Sequence, residues 1–458
     1  MSFITSPGVI VPPLTAGGVA YGTGGQAKVT SAGTAGQFLQ SNGAGVPFFA
    51  DAGSEVVRVA RTSNTVLVKA NNGNLIAITS GTFTQTFTAA ATLEDGWFCY
   101  LQNSGTGVIT LNPDGAELID GLTSYAMYPG ECRLVQCTGT AFFSVVLSPF
   151  SKTITSSETF IAPPGYAHYS VEAWAGGGGG KGGQGDPQPS GGNGGGGGGR
   201  VPGKVVAPAA GTNITVTIGA GGTGGAGGTL SGGTAGTVGG DSSFGSYVTA
   251  VGGQTNGSGG GASTGGGPRM AFFVSAGNGG FGALTHGGSS TNNYGSASNI
   301  GLGGGYQSGQ STENAYYVGS TEYGGSGGGG SSNFSTTEVR AATSLFGATG
   351  GGGGGGFRTG PTTNEAGAGG GVGYAVFGGG AAGGAGGVTG AAGTAGSVLS
   401  SGSGGGGGGG GYSTVGTGAI GGAGAIPGGG GGGGGGGLTT GGAGGAGGKG
   451  QIIVIGIA

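Results

Sequence analysis

Short apolar segments alternate with turns over residues 53–150. Residues 131–137 alternate between apolar and polar side chains, and residues 141–147 are rich in the aromatic and β-branched side chains that favour strands. An Asn-Pro-Asp-Gly turn at 112–115 separates two of the segments. Short strands at this spacing predict a β-sandwich or small barrel over 53–150. The predicted strands are 55–61, 65–68, 75–78, 97–101, 108–111, 131–137 and 141–147.

Residues 151–458 follow a different pattern, in which a few apolar strands frame long glycine runs. The final strand, 451–458, is expected to pair with residues 169–174 and so close this domain on itself. The other predicted elements are a strand at 153–155, a strand, a Pro-Pro-Gly turn and a second strand within 159–174, and a strand at 213–218.

Composition removes several classes of protein. Glycine supplies 136 of 458 residues, 20 of them up to position 150 and 116 beyond it. A helical fold is excluded because each interior glycine costs a helix roughly 0.5–1 kcal/mol relative to alanine. Collagen is excluded because the glycines occur in runs and not at every third position. Thirteen basic and 16 acidic residues give a net charge of −3 without a basic run, which disfavours nucleic-acid binding.

The glycine runs admit two interpretations, a flexible linker or an ordered array of polyglycine II strands. Ordering is costly, since fixing one backbone residue costs roughly 1–2 kcal/mol, and glycine loses most. A hydrophobic core cannot offset this cost because the runs carry few large apolar side chains. Only an array in which nearly every peptide group is hydrogen-bonded to a neighbouring strand can offset the cost of ordering the glycines. We therefore predict an all-β protein, with a polyglycine-II-type lattice closed by terminal β-strands.

The N-terminal region resembles bacteriophage structural proteins. Residues 1–15 contain three prolines around an apolar stretch and predict an extended peptide that docks onto another protein. Residues 16–52 carry the stretches AGGVAYGTG and SAGTAGQFLQSNGAGVP, whose Gly and Asn-Gly turns predict small hairpins. Both stretches look like a repeat found near the N-termini of many phage tail-fibre and virion proteins.

Residues 151–458 resemble the glycine-rich domain of phage tail proteins. The resemblance rests on TFIAPPG at 159–165, VEAW at 171–174, ITVTIGAGG at 214–222 and a closing GQIIVI strand. Long glycine runs with aromatic inserts are also similar to the tip adhesins of T-even-like phages, whose lattice presents variable loops to a host receptor. The additional β-domain departs from those adhesins and suggests a complete short fibre in one polypeptide.

The resemblance implies a function and partners. It implies a homotrimeric tail fibre or receptor-binding adhesin that is made in the host cytoplasm and located in the virion. Residues 1–50 would attach it to a tail, baseplate or capsid protein, 53–150 would form a shaft, and 151–458 would bind a host surface glycan or outer-membrane protein.

The inserts between glycine runs carry the candidate receptor-binding residues. Loops rich in Tyr, Ser, Gly and Asn are typical of binding surfaces, because a rigid ring provides contact area at low entropic cost. The alternative is that these rings pack over lattice ends or between subunits. The candidates are Arg269, Phe272, Phe273, Tyr306, Asn314, Tyr316, Tyr317, Tyr323, Phe334, Phe357 and Arg358.

The motifs that suggest catalysis are better explained as chance matches or as structural residues. Matches to GxGxxG are expected by chance at this glycine content and lack a strand–helix unit. His168 and His286 are the only histidines, and His168 is expected to be a framework residue of a strand. The carboxylates Asp114, Glu117 and Asp120 are interpreted as turn and solvated strand-end residues. We expect no enzyme activity, no cofactor and no metal.

Cysteines and apolar windows add two expectations. Cys99, Cys132 and Cys137 are too few and too odd in number for a disulfide framework, and are expected to be buried small hydrophobes. The start of the chain lacks the basic region of a signal peptide. No window of about 18 apolar residues occurs, so no membrane insertion is expected.

Two alternatives remain open at the sequence level. A capsid decoration or head-fibre protein would have the same architecture but would be attached to the capsid and not to the tail. A non-viral glycine-rich surface or ice-binding protein is the other. Ice binding would require a flat face with regular Thr or Ala spacing, and the sequence is interpreted as having none. A mycobacterial-type surface protein would require a helical N-terminal domain, which the pattern does not predict.

Overall fold

The structure, a computed structural model, is nearly all-β, in agreement with the predicted class. Helical structure in its described residues is limited to α1 (Ala90–Leu93) and a 3-10 turn at Lys69–Asn71. The described residues are 16–23, 26–43, 45–51, 56–186, 189–230, 232–255, 262–263, 320–321, 343–344, 348, 350–355 and 416–458.

Residues 1–59 and 73–75 form a first compact unit. It contains two antiparallel hairpins, in which β1 (Ala20–Thr23) pairs with β2 (Gln26–Val29) and β3 (Gln37–Gln40) pairs with β4 (Phe48–Asp51). Gly43 in the Asn-Gly turn has φ +57, a left-handed conformation that glycine adopts without steric cost. Hairpins are therefore present where they were predicted, and the attachment peptide predicted for 1–15 lies outside the described residues.

Two sheets follow between residues 58 and 148. The five-stranded sheet has the order β12-β11-β8-β6-β5, and the three-stranded sheet has the order β10-β9-β7, with β7 parallel to β9. Their strands are β5 (Arg58–Arg61), β6 (Leu75–Ile78), β7 (Phe83–Thr86), β8 (Asp95–Asn103), β9 (Ile109–Asn112), β10 (Tyr125–Met127), β11 (Cys132–Thr138) and β12 (Phe142–Ser148).

The predicted strand at 65–68 is wrong. Only Leu67 forms a bridge there, to Phe87, and the chain continues into the 3-10 turn. Sequence analysis also missed β7 and β10. The threonines of β7 and the three-residue length of β10 gave no clear alternation.

Two further sheets form the base of the glycine-rich region. The first has the order β13-β23-β15-β16 and the second the order β14-β17-β18-β19-β20. A separate parallel pair consists of β21 and β22. The bounds are β13 (Ser151–Ile154), β14 (Glu158–Ile161), β15 (His168–Trp174), β16 (Arg200–Val206), β17 (Asn213–Thr217), β18 (Ser242–Phe244), β19 (Val248–Ala250), β20 (Ala262–Ser263), β21 (Ser320–Thr321), β22 (Thr343–Ser344) and β23 (Gln451–Ile457).

The closing strand pairs as the sequence predicts. β23 is antiparallel to β15, with Gln451 opposite Trp174 and Ile457 opposite His168. Ile452 and Val454 on its inner face are fully buried. The last residues of the chain thus complete the sheet from which the glycine-rich region starts.

The two strands predicted on either side of the Pro-Pro-Gly turn are present, but they do not pair with each other as a hairpin. β14 and β15 belong to different sheets, so the turn carries the chain from one sheet to the other. Phe160 of β14 and Tyr169 of β15 are both fully buried, and their ring centroids lie 5.5 Å apart. Burying both rings in one core favours this crossing over local pairing.

The aromatic core of the base extends into residues that precede it. Tyr128 stacks on Phe160 with ring centroids 4.9 Å apart and packs against Phe150. Its hydroxyl donates to the Ile161 carbonyl and accepts from the Ile161 N–H, both at 2.9 Å. The β-domain and the glycine-rich region are therefore joined through a shared core.

A buried ion pair reinforces this junction. Arg133 and Glu131 are both fully buried, and Arg133 Nε donates to Glu131 Oε1 at 2.6 Å. Arg133 also donates to the Pro164 carbonyl at 2.7 Å, and the Tyr166 hydroxyl donates to Glu131 at 3.0 Å. Burial raises the pKa of the Glu131 carboxyl, and Arg133 opposes that rise. The pair thus links β11 to the turn between β14 and β15.

We expect Arg133→Met to destabilise the protein by about 3–5 kcal/mol, because it leaves the buried Glu131 carboxylate without its partner. Denaturant unfolding of the full chain measures the change. The double variant Glu131→Gln/Arg133→Met is the control and should regain at least about 1 kcal/mol. Equal midpoints for Arg133→Met and the wild type would contradict this role of the pair.

Candidate functional site

Beyond the base sheets, the described chain contains nine segments that run side by side and are mostly glycine. They are numbered in chain order. Run 1 is 176–185, run 2 is 190–199, run 3 is 219–229, run 4 is 232–240, run 5 is 251–254, run 6 is 350–355, run 7 is 416–425, run 8 is 428–437 and run 9 is 440–450.

The hydrogen bonds of run 1 repeat every three residues. The N–H groups of Gly176, Gly179 and Gly182 donate to run 4. The N–H groups of Gly177, Gly180 and Gly183 donate to run 9. The N–H groups of Gly178, Lys181 and Gln184 donate to run 2. The N···O distances from Gly176 to Gln184 are 2.8–3.1 Å. Successive residues therefore point to three different neighbours in turn.

Six runs surround run 1. Its carbonyls accept from three runs to which it does not donate, namely run 3, run 5 and run 8. Run 3 also bonds to runs 4 and 9, and run 2 also bonds to runs 5 and 8. Run 8 has the same threefold pattern and bonds to runs 1, 2, 6, 7 and 9. The runs are thus packed in two dimensions rather than in a sheet.

Glycine is required where run 1 touches runs 3, 5 and 8. A Cβ on Gly178 would overlap the carbonyl oxygen of Gln254 in run 5, and one on Gly179 would overlap that of Thr223 in run 3. One on Gly180 would overlap the carbonyl of Gly432 in run 8. Each of the three successive positions is therefore closed to a side chain by a different neighbour.

In runs 3 and 4, side chains occur on the sides where no other described run is bonded. Run 3 reads Gly-Gly-Xaa, and its Xaa positions are exposed. Run 4 has Gly233, Gly236 and Gly239 at every third position, with exposed Thr234 and Thr237 among the residues between them. The number of glycines per three residues thus indicates how many sides of a run are packed against other runs.

Runs 3, 9 and 7 form an outer face with regular spacing. Run 9 donates to run 3 and accepts from run 7. Runs 3 and 9 share run 1 beneath them, and runs 9 and 7 share run 8. Close-packed runs with these shared neighbours lie in one row. The exposed residues, three apart within each run, are Ala220, Thr223, Ala226, Thr229, Ala443, Ala446, Lys449, Thr417, Ile420 and Ala423. The interpretation that the sequence has no regular Thr or Ala spacing is therefore wrong, because exposed Ala and Thr alternate at every third position of run 3.

The far end of the bundle is the end away from the base sheets. The turns between runs 3 and 4 and between runs 8 and 9 lie there, and they expose Leu230 by 79% and Leu438 by 42%. Run 6 ends there, since the Gly436 N–H donates to the Gly355 carbonyl. Run 7 starts there, since the Thr439 N–H donates to Gly416.

Two polar side chains interrupt run 1 towards the far end. Lys181 and Gln184 follow Gly178 at intervals of three and so share the side of run 1 that faces run 5. The described part of run 5 lies level with Gly178 and does not reach Lys181. Ser190 Oγ of run 2 lies 3.4 Å from Gln184 Oε1. Sequence analysis missed this polar strip, because an isolated Lys or Gln in a glycine run gives no pattern.

All eleven candidate receptor-binding residues lie outside the described residues. Phe357 and Arg358 fall in the segment 356–415, whose two flanking described residues, Gly355 and Gly416, are both at the far end. The other nine fall between run 5 and run 6, which begins near the base, where Ala348 approaches Gly428.

Two of the three carboxylates noted in the sequence, Glu117 and Asp120, have structural partners, and Asp114 is exposed in its turn. Both Glu117 oxygens accept from the Ala90 N–H at the start of α1, at 2.9 and 3.0 Å. Asp120 accepts from the Ser144 N–H at 2.7 Å and from its hydroxyl at 2.6 Å. They are therefore anchored, and the interpretation of both as solvated strand-end residues is wrong.

The histidine and cysteine side chains in the described residues are buried or half-buried. His168 lies half-buried in β15, as expected of a framework residue, and His286 lies outside the described residues. Cys99 and Cys137 are buried, and burial raises the pKa of both thiols. Cys132 is only half-buried, which corrects the expectation for that residue.

Among the described residues no cluster of three or more His, Cys, Asp or Glu side chains is placed to hold a metal ion. Nor does this part of the chain contain a helix that is long and apolar enough to cross a membrane. No protein-family model matches the chain, and no curated protein sequence matches it either.

We expect Gly179→Ala to destabilise the bundle by at least about 1–3 kcal/mol, because the new methyl group meets a backbone carbonyl that cannot rotate away. Gly416→Ala is the matched control, since a Cβ there meets nothing within 4 Å. Thermal unfolding of both full-length variants measures the difference. Equal melting temperatures would contradict tight packing of run 1.

Proposed function

We propose that the glycine runs form a polyglycine-II-type lattice. A polyproline II strand has three residues per turn and no internal hydrogen bonds, so its peptide groups point outward in three directions. The threefold rotation of hydrogen-bond partners along runs 1 and 8 supports this geometry. We further propose that the sheets between residues 58 and 148 act as a sandwich-type shaft. Such a lattice gives a stiff rod without a hydrophobic core.

On this basis we propose that the chain is a phage tail fibre or receptor-binding adhesin. The observation that carries the proposal is that the bundle brings both ends of the segment 356–415 to its far end. A rigid scaffold that presents loops at one end is suited to recognition, because the scaffold pays no ordering cost when the loops bind. Leu230 and Leu438 add exposed apolar surface at the same end of the bundle.

The roles of the other parts follow the resemblance. Residues 1–15 would attach the chain to the virion, with the hairpins of 16–52 next to them. The buried junction at Glu131 and Arg133 supports transmission of orientation from the shaft to the far end, since it fixes the turn at Pro164. The partner at the far end would be a host surface glycan or outer-membrane protein, and the functional form would be a homotrimer.

We expect the fluorescently labelled full-length protein to bind bacterial cells that the parent phage infects, and to block infection in competition. The double variant Phe357→Ala/Arg358→Ala should bind at least about tenfold more weakly, because hot-spot side chains each contribute 1 kcal/mol or more. Ala423→Ser, on the side of the bundle, is the matched control. Absence of binding to every susceptible host would contradict the adhesin proposal and favour a capsid decoration protein.

The flat outer face supports a second candidate function. Small side chains recur every three residues on runs 3, 9 and 7, at about 9 Å intervals for a polyproline II rise of about 3.1 Å per residue. Lys449 is the only charge among the ten exposed positions. A regular face of Ala and Thr with few charges meets the requirement for binding ordered water at an ice surface.

Ice binding and host binding predict opposite results in one assay. An ice-binding protein should arrest ice recrystallisation at micromolar concentration, and Thr223→Leu should abolish the effect, because a larger side chain breaks the regular face. For an adhesin we expect no arrest above that of a matched concentration of albumin. Arrest by the wild type that Thr223→Leu removes would favour the second candidate.

A further inference from the structure

The five-stranded sheet carries an unusual outer face. Along β8 and β11, alternate side chains point inward and are buried, whereas β12 alternates between exposed and half-buried positions after the buried Phe142. The intervening positions of β8 and β11 and the exposed positions of β12 share the outer face. Register places Tyr100, Leu134 and Val145 in one row across the three strands, and Phe98, Gln136 and Phe143 in the next. The outer positions are Phe98, Tyr100, Gln102, Cys132, Leu134, Gln136, Phe143, Val145 and Leu147.

The exposure of this face is concentrated on β12. Phe143 is 40% exposed, Val145 50% and Leu147 52%, and β12 is the last strand of its sheet. The water-facing positions of another sheet are polar instead. Asn213, Thr215 and Thr217 of β17 are all exposed. Strands with one face in water normally carry polar residues there. The outer face of β8, β11 and β12 is therefore built for contact and not for solvent.

The properties of the face fit a second copy of the same chain. None of its nine positions carries a charge, so two identical faces can meet around a symmetry axis without repulsion. Phe143, Val145 and Leu147 expose 40–52% of their surface and form an apolar centre. Homodimer interfaces contain such a centre within the area of about 800 Å² that each partner contributes.

We propose that copies of this chain associate through the outer face of β8, β11 and β12, with Phe143, Val145 and Leu147 at the centre of the contact. The inference rests on the self-association included in the proposed function and assigns a surface to it. The interface lies on the shaft, so it leaves the far end of each bundle free to bind.

The oligomeric state of the purified full-length chain tests this proposal. Sedimentation at micromolar concentration should give the wild type two or three times the 42.0 kDa monomer mass. Val145→Lys should reduce the mass to that of the monomer, because it places a charge at the centre of the contact. Thr215→Lys, the same substitution on an exposed position of β17, should retain the wild-type mass.

Thiol labelling provides a second measurement on the same samples. Cys132 is on the proposed interface, whereas Cys99 and Cys137 are buried within the chain. Native labelling of one thiol in Val145→Lys, at least tenfold faster than in the wild type, is expected. Labelling of all three thiols would indicate a misfolded variant, and Val145→Thr would then decide by the same two measurements.

A monomeric wild type would overturn the proposal and would favour a different virion protein as the occupant of the face. So would a correctly folded Val145→Lys variant with the wild-type mass. Neither result depends on cell binding, which is measured separately. Failure of this interface and failure of the adhesin proposal are therefore distinguishable.

Discussion

The glycine runs in the described part of residues 151–458 depend on direct contact between bare peptide backbones. Each N–H of run 1 from Gly176 to Gln184 reaches a carbonyl on an adjacent run, and three successive residues reach three different runs. Contact at this distance leaves no room for a Cβ on most of these residues. Glycine is therefore required by packing here, and its conformational freedom is a cost that the hydrogen bonds offset.

Side chains of the base sheets stabilise the region at the ends of the glycine runs. The base sheets hold the first and last strands of the region together, with β23 beside β15, and so fix where runs 1 and 9 start and end. The aromatic core around Phe160 and Tyr169 is continuous with Tyr128. The buried Glu131–Arg133 pair adds a polar link that is costly to break. Base sheets and glycine runs are thus held together by side-chain packing and by this buried pair.

Much of this fold could be predicted from the sequence, and the reasons for the misses are physical. Pairing of 451–458 with 169–174 was predictable because both are apolar strands that flank the glycine runs. The crossing at the Pro-Pro-Gly turn was not, because local sequence cannot distinguish a hairpin from a turn between two layers. The period of three in run 3 is visible in the sequence, but its meaning depends on knowing which sides of the run are covered.

The candidate site was less predictable. Aromatic inserts indicate recognition by composition alone, whereas the position of Gly355 and Gly416 at the far end follows only from the directions of runs 6 and 7. Lys181 and Gln184 gave no pattern, because the side of run 1 that they share follows only from the threefold rotation of its hydrogen-bond partners. Likewise, Glu117 and Asp120 accept hydrogen bonds from residues more than 20 positions away.

Amide hydrogen exchange of the full-length protein tests the central claim most directly. If the backbone contacts hold the bundle together, the amides of Gly176–Gly183 should exchange only with global unfolding and be among the most protected in the chain. The exposed Leu230 turn should exchange far faster. Exchange of Gly176–Gly183 at the rate of an unstructured peptide would contradict the account.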